Sequence, residues 1–335
     1  MITGLMERRA LAPLTLLSWL AFGTALSAQE PQFRAPILCD PGKDCWVSTF
    51  FDHDPGPGHK DQACGPVTYD THGGIDFAIP NLAAMEQGVT VVASAPGVVV
   101  GTRDDMADVS IRDIDPATLG GKDCGNGARI DHGNGWHSQY CHLKRGSIRV
   151  RSKQRVEAGT PLGLVGLSGR TEHPHVHMSV FKDGKKLDPY TGSDGSAGCG
   201  TTGKSLWHPS VLRDFPYRTG LVRDLVFTLR VPERKEIQAG TAGVGSGSTG
   251  AEVIVLAAET MANLRDHRVE MRILAPGGQT VVEKTHDQPK VYAYTWIGRK
   301  RPGPGWPAGS YRGEVTVRDG KGQVTDSREI TLELR

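Results

Sequence analysis

The sequence has no surplus of charge of either sign: 39 Lys+Arg stand against 37 Asp+Glu, a formal net charge of +2. A nucleic-acid-binding chain normally shows a basic face or excess, so this balance argues against that class. No two of its six cysteines have the C-x-x-C spacing, which makes a cysteine zinc site a poor reading. No internal repeat is visible. Residues 75–190 show no good amphipathic helix. Only one long apolar run exists, from Leu11 to Leu26, behind Glu7-Arg8-Arg9. It falls short of the roughly 20 residues that a spanning helix needs. Ala25-Leu26-Ser27 closes it with small residues where a signal peptidase reads, so residues 1–27 are expected to be a secretory signal peptide. The alternative is an uncleaved membrane anchor. With the signal removed, no membrane span is expected.

What is plentiful is turn-forming residues. The 335 residues include 43 glycines and 21 prolines, above the usual combined share of about 12%. That favours short strands with many connections, an all-β chain, over a helical bundle. Residues 28–65 read as an irregular segment rich in Asp, Pro and Gly. Strand signals follow at 88–93 and 97–101, on either side of Ala95-Pro96-Gly97, then at 128–130 and 138–142 around Asn134-Gly135, and at 175–180. Residues 102–121 read as a long polar loop. A Gly/Ser/Thr-rich stretch begins near residue 192. Beyond it, strand-like runs at 226–231, 253–256, 269–273, 281–282, 291–296, 311–317 and 330–334 suggest an immunoglobulin-like β-sandwich, with 240–250 as a flexible loop. The division expected is a signal peptide 1–27, an irregular segment 28–65, a compact antiparallel β domain 66–195, a linker 196–222 and a β-sandwich 223–335.

Cys39, Cys45, Cys64, Cys124, Cys141 and Cys199 all lie beyond the signal segment. An even count in an exported chain reads as disulfides formed in an oxidising compartment, here a periplasm and hence a Gram-negative host. Six cysteines allow 15 pairings. Cys39–Cys45, which closes a short loop, is the best single expectation. Cys124–Cys141 is the other candidate, although a simple two-residue turn at Asn134-Gly135 sets Ala128 opposite Cys141, so that pair needs the chain to bend back.

Four histidines and one aspartate carry the chemistry. His72-Gly73-Gly74-Ile75-Asp76 puts an imidazole and a carboxylate four residues apart, with two glycines that let the chain turn so that both converge. His175-Val176-His177 puts two histidines on one strand face, roughly 6.6 Å apart. If His177 binds a metal, His175 stands just outside its coordination sphere. His142 ends the run Gln139-Tyr140-Cys141. Two neutral imidazoles and one carboxylate leave a Zn²⁺ site with a net charge of about +1, still a useful Lewis acid toward water.

The order H-x-x-x-D, a Gly-flanked valine pair, Asp131-His132-Gly133-Asn134-Gly135, Tyr140-Cys141-His142-Leu143, Pro174-His175-Val176-His177 and Leu187-Asp188-Pro189 resembles the lysostaphin/LytM-type zinc endopeptidases of the bacterial cell wall, from about Gly65 to Pro189. The resemblance implies one zinc per chain, held by His72, Asp76 and His177. It implies His142 and His175 as the catalytic histidines that activate water and stabilise the oxyanion. It further implies a groove for the peptide stems of peptidoglycan, with D-Ala–diaminopimelate cross-links the expected target in a Gram-negative host. His173 stands where the family usually has glycine, and Ser179 where it often has an acidic residue. Both are expected at the groove rim, and 102–123 is long enough to wall it. Two other readings compete. The same fold serves as a non-enzymatic regulator of wall amidases, expected to lack the metal ligands. Alternatively, the sandwich binds the wall and the first domain is passive. No ligand or protein partner is assigned to the sandwich.

Overall fold

The computed structural model describes residues 1–4, 30–287 and 290–335; the expected signal peptide falls almost wholly outside them. Antiparallel strands dominate. In the first region they are β1 (Trp46–Thr49), β2 (Ile75–Ala78), β3 (Thr90–Val92), β4 (Gly97–Arg103), β5 (Asn126–Gly133), β6 (Trp136–Leu143), β7 (Arg155–Val156), β8 (Pro161–Leu164), β9 (His175–Lys182) and β10 (Lys185–Leu187). One short helix, α1 (Leu82–Gln87), begins where the Asn81 side chain accepts from the Ala84 amide and ends at Gly88, whose φ is +91°. The main sheet runs β1-β2-β9-β6-β5-β4-β7, with β10 on the far end of β9, while β3 and β8 pair separately.

The alternation of β-strand side chains assigns the two faces. Ile75 and Phe77, Ala128 and Ile130, Tyr140, and Val176, Met178 and Val180 point inward and are buried. Asp76, Arg129, Gln139, Cys141, His177 and Ser179 occupy the intervening positions on the other face. The β5–β6 hairpin turns at Asn134 and Gly135, both with positive φ, the left-handed pair that the strand twist prefers. Irregularities at Asp131/Gly133 and Asn126/Ala128 shift the register, so Ala128 faces Tyr140 rather than Cys141. Asn126 pairs with Leu143, so the chain must bend back before Asn126 to make the Cys124–Cys141 bridge, which is present with Cys39–Cys45 and Cys64–Cys199.

The core crosses two of the expected boundaries. The irregular segment 28–65 contributes Phe33, Ile37, Val47, Phe50 and Phe51 to the main core, and its β1 pairs with β2. The expected linker 196–222 is a connection only in its first part. Leu206, Trp207, Val211 and Phe215 join the same core through α2 (Pro209–Asp214) and a bridge between Phe33 and Trp207. Each segment supplies large apolar side chains at irregular spacing, which carries no strand or helix period.

The second region holds β11 (Leu221–Thr228), α3 (Arg234–Ala239), β12 (Ser246–Gly247), β13 (Val253–Met261), β14 (Arg268–Leu274), β15 (Thr280–Asp287), β16 (Ala293–Lys300), β17 (Gly309–Arg318) and β18 (Val324–Leu334). A sheet β11-β13-β16 and a sheet β12-β18-β17-β14-β15 enclose one core in which Phe227, Ile254 and Leu256 meet Met271, Tyr311, Val315 and Leu332. The strand expected at 226–231 lies earlier, and the loop expected at 240–250 contains β12, which pairs in parallel with β18. Both regions belong to one compact unit, residues 31–335. Ala262 enters the first region's core, and Trp46 of β1 packs with Leu221 and Met261.

Candidate metal centre

Asp76 on β2 lies directly opposite His177 on β9, so the register of one strand pair places a carboxylate against an imidazole. His72 arrives from the turn before β2. A Cβ at Gly74 would stand 2.5 Å from His177 Nε2 and from the Met178 carbonyl; only glycine lets that turn pass so close. Three atoms converge: His72 Nε2 and Asp76 Oδ1 are 3.1 Å apart, His177 Nδ1 and Asp76 Oδ1 2.7 Å, and the two ring nitrogens 3.0 Å.

The outer nitrogens fix what these atoms offer. His72 Nδ1 is 2.6 Å from the Phe50 carbonyl and must donate to it. Ser179 Oγ donates to the Gly73 carbonyl and therefore accepts from His177 Nε2 at 2.9 Å. Both neutral rings are left with lone pairs at Asp76. Three acceptors facing one another need a cation between them, a proton or a metal. Burial disfavours the charged form of His72, yet the Asp76 carboxylate outweighs it and raises the imidazole pKa above its ordinary value. Burial likewise opposes ionisation of Asp76, but the surrounding histidines, His72 first, hold its carboxyl well below the usual range. Two imidazole nitrogens and one carboxylate oxygen are a catalytic zinc donor set; tetrahedral bonds of about 2.0–2.1 Å put ligands about 3.4 Å apart, a small adjustment from the spacing here. The residues fit the ion.

His142 and His175 flank this cluster. Strand alternation would send His142 to the core side, beside Tyr140. Its φ of +64° reverses the direction, so it lines the same cleft as Cys141 and His177. A non-glycine residue held there stores strain, which is common at working sites. The Cys124–Cys141 bridge and the bond from the His142 amide to the Cys124 carbonyl, 2.8 Å, hold this bend. His142 Nδ1 donates to the Ser168 carbonyl at 2.8 Å and His175 Nδ1 to the His173 carbonyl at 2.9 Å. Each ring thus keeps its Nε2 lone pair; that of His175 lies 3.5 Å from Asp76 Oδ1. Burial, then the neighbouring His175 and His177, push the His142 pKa well below its ordinary value.

The cleft encloses about 200 Å³, with Tyr69, Arg170 and Lys186 at its edge. Asp123 and Cys124, at one end of the expected wall segment, line it too. Asp104 and Asp108 pin that segment by accepting from the amides of Gly146, Ile148, Arg145 and Leu167. His173 sits with its ring 5.1 Å from that of His175, and its Nε2 has no hydrogen-bond partner. Tyr292 also packs against it, ring centres 5.9 Å apart. Tyr292 comes from the second region and was not singled out from sequence; no local motif marks it. The remaining buried histidine of the first region, His53, is paired with Asp188 at 2.9 Å, away from the cluster's ligand atoms.

Comparison with known proteins gives the same stretch of chain. Residues 70–189 match the model of peptidase family M23. The chain is similar to the peptidoglycan DD-endopeptidase ShyA of Vibrio cholerae, 32% identical over 117 residues, 35% of this chain and 22% of that protein. It is similar to the DD-carboxypeptidase/endopeptidase Mpg of Neisseria meningitidis, 32% identical over 122 residues, 36% of this chain and 23% of that protein. The chain thus spans under a quarter of the length of these curated relatives. Among solved structures, the catalytic domain of the M23 protein EnpA from Enterococcus faecalis aligns at 23% identity and a TM-score of 0.32, over 48% of this chain and 95% of that one.

Proposed function

We propose that this chain, which carries a peptidase family M23 domain over residues 70–189, is a secreted zinc metalloendopeptidase that hydrolyses the peptide cross-links of peptidoglycan. One observation carries the reading: His72 Nε2, Asp76 Oδ1 and His177 Nδ1 meet with both imidazoles turned, by Phe50 and Ser179, to present lone pairs. When bound, zinc supplies a Lewis acid that polarises the scissile carbonyl and acidifies water. His142, kept neutral by burial, takes the water proton at Nε2 and returns it to the leaving amine. The Nε2 of His175, on the same side of Asp76, faces the oxygen on which charge develops. The Nδ1–H bond to Ser168 holds His142 in the acceptor tautomer that this needs; to stabilise the oxyanion, His175, whose Nδ1–H is given to His173, must carry a second proton on Nε2.

The apolar run at 11–26 and the three disulfides support export to an oxidising compartment, the periplasm of a Gram-negative cell. D-Ala–diaminopimelate bonds are the cross-links proposed. The test is digestion of purified sacculi by the mature protein, with and without a chelator, the released fragments identified by mass. Chelator-sensitive release of monomeric stems is expected. Intact sacculi together with no zinc uptake would point instead to a regulator of amidases.

A further inference from the structure

The open face of the main sheet carries a second hollow, of about 240 Å³, beside the metal cleft and sharing Cys124 and Gln139 with it. A single cross-strand row connects the two. Gly101 pairs with Arg129, Arg129 with Gln139, and Gln139 with Ser179, the residue that holds His177. Four adjacent strands at about 4.8 Å make this row about 14 Å long, which an extended peptide covers in roughly four residues.

The hollow is built around two cations with no counter-charge. Arg129 stacks its guanidinium on Phe181, 4.7 Å from the ring centre. Stacking holds the plane and leaves the N–H edge free for a bidentate acceptor. Arg103 gives one N–H to the Gly125 carbonyl at 3.0 Å, which fixes its direction. Among the described residues neither pairs with a carboxylate, unlike Arg170 at the cleft edge, which is tied to Asp123 at 2.7 Å. The space itself is kept by glycine. A Cβ at Gly127 would press to 2.0 Å on the Tyr140 carbonyl, while one at Gly101 meets nothing within 4 Å and would project into the opening. The register shift between Val99 and Gly101 turns this edge of β4, a common device beside working sites.

We infer that Arg103 and Arg129 form a carboxylate subsite that recognises an anionic stem peptide a few residues from the scissile bond. This rests on the peptidoglycan reading for its substrate class, because stem peptides carry free carboxylates on their acidic and diamino-acid residues. A bidentate guanidinium–carboxylate contact is worth roughly tenfold or more in affinity.

The test measures binding apart from hydrolysis. Fluorescein-labelled stem peptides, either with both carboxylates free or amidated at one or the other, are titrated against the mature protein with chelator present, and anisotropy is read. The free acid is expected to bind about tenfold more tightly than one of the two amides, which identifies the carboxylate. Arg129→Gln with Arg103→Gln should erase that preference. Gly101→Leu should weaken acid and amide alike by filling the opening. Arg213→Gln, remote and paired with Asp214, should retain the preference. Equal binding of all peptides by the native chain, or a preference that survives the double substitution, overturns the subsite. Failure of the hydrolase reading shows separately, as intact sacculi in the digestion assay despite a binding preference.

Discussion

Asp76 and Glu259 are both buried carboxylates on sheet strands, one in each region, 4% and 2% exposed. Their surroundings differ in kind. Glu259 is met by two guanidinium groups, Arg223 and Arg234, so its charge is answered within the protein. Asp76 is met by imidazoles whose protons are committed elsewhere, to Phe50 and Ser179. The first arrangement is complete as it stands; the second is complete only with a cation. A buried ionic cluster indicates a site when its own hydrogen bonds leave it short of positive charge, and burial alone does not separate the two cases.

The largest effects should come from the incomplete cluster. Asp76→Asn and His177→Ala should each reduce zinc content from about one per chain to near zero and bring sacculus hydrolysis to background, read by atomic absorption and fragment release. His142→Ala should retain zinc and lose roughly 10²–10⁴-fold in turnover, since it acts on protons and not on the ion. Zinc loss in this variant would place His142 among the ligands.

Glu259→Gln should show the reverse pattern. Removing one partner of a buried ion pair strands the other, at a cost of about 3–5 kcal/mol. Chemical denaturation should register that loss, with zinc per folded chain unchanged. Were zinc to fall in step with stability, the distinction between the two clusters would be lost.

Proton competition sharpens the contrast further. His72 has a raised pKa because Asp76 outweighs the penalty of burial, so its proton occupies the cation position at a higher pH than for an ordinary histidine. Binding an ion there must expel that proton. Zinc retention should therefore weaken as pH falls, beginning above the ordinary histidine value of about 6.5. Competition against a chromogenic chelator at stepped pH reads this directly. A flat retention curve would remove the proton from the site.

The first region's candidate site was legible in sequence because its residues sit in short local patterns: His72 and Asp76 across two glycines, His175 and His177 on one strand face. The zinc set and the two flanking histidines remain proposals, yet the chain does bring those side chains together. What was not legible depends on long-range contacts. Cys64–Cys199 joins residues 135 apart, and no turn signal marks it. Phe33, Trp207 and Phe215 belong to the core, but they sit in segments without a strand or helix period, which read as an irregular segment and a linker. The Cys124–Cys141 pair needs the chain to bend back before Asn126, which the turn residues alone do not announce. The same contacts mean that the second region cannot be removed cleanly. Cutting the chain at residue 205 removes Trp207, Val211 and Phe215 from the first region's core, so that variant is expected to misfold rather than report on the sandwich.

A point substitution asks more cleanly how far the second region matters to the first. Tyr292 donates its hydroxyl to the Ser48 carbonyl at 2.8 Å and shares a 2.9 Å contact with Thr49 Oγ1. Both residues lie on β1, where Thr49 pairs with Asp76. The ring also backs His173, which backs His175. Tyr292→Phe keeps the ring and removes the hydroxyl, so it should cost about 1 kcal/mol of stability, leave zinc content unchanged, and lower turnover only a few-fold through a slight loosening of β1 against β2. Tyr292→Ala removes the backing of His173 as well and should lower turnover further at the same zinc content. Equal turnover in the two variants would assign the effect to the hydroxyl and β1 alone. Native turnover in both would mean that the sandwich leaves the first region's chemistry untouched, and that the contact serves only to hold the two cores together.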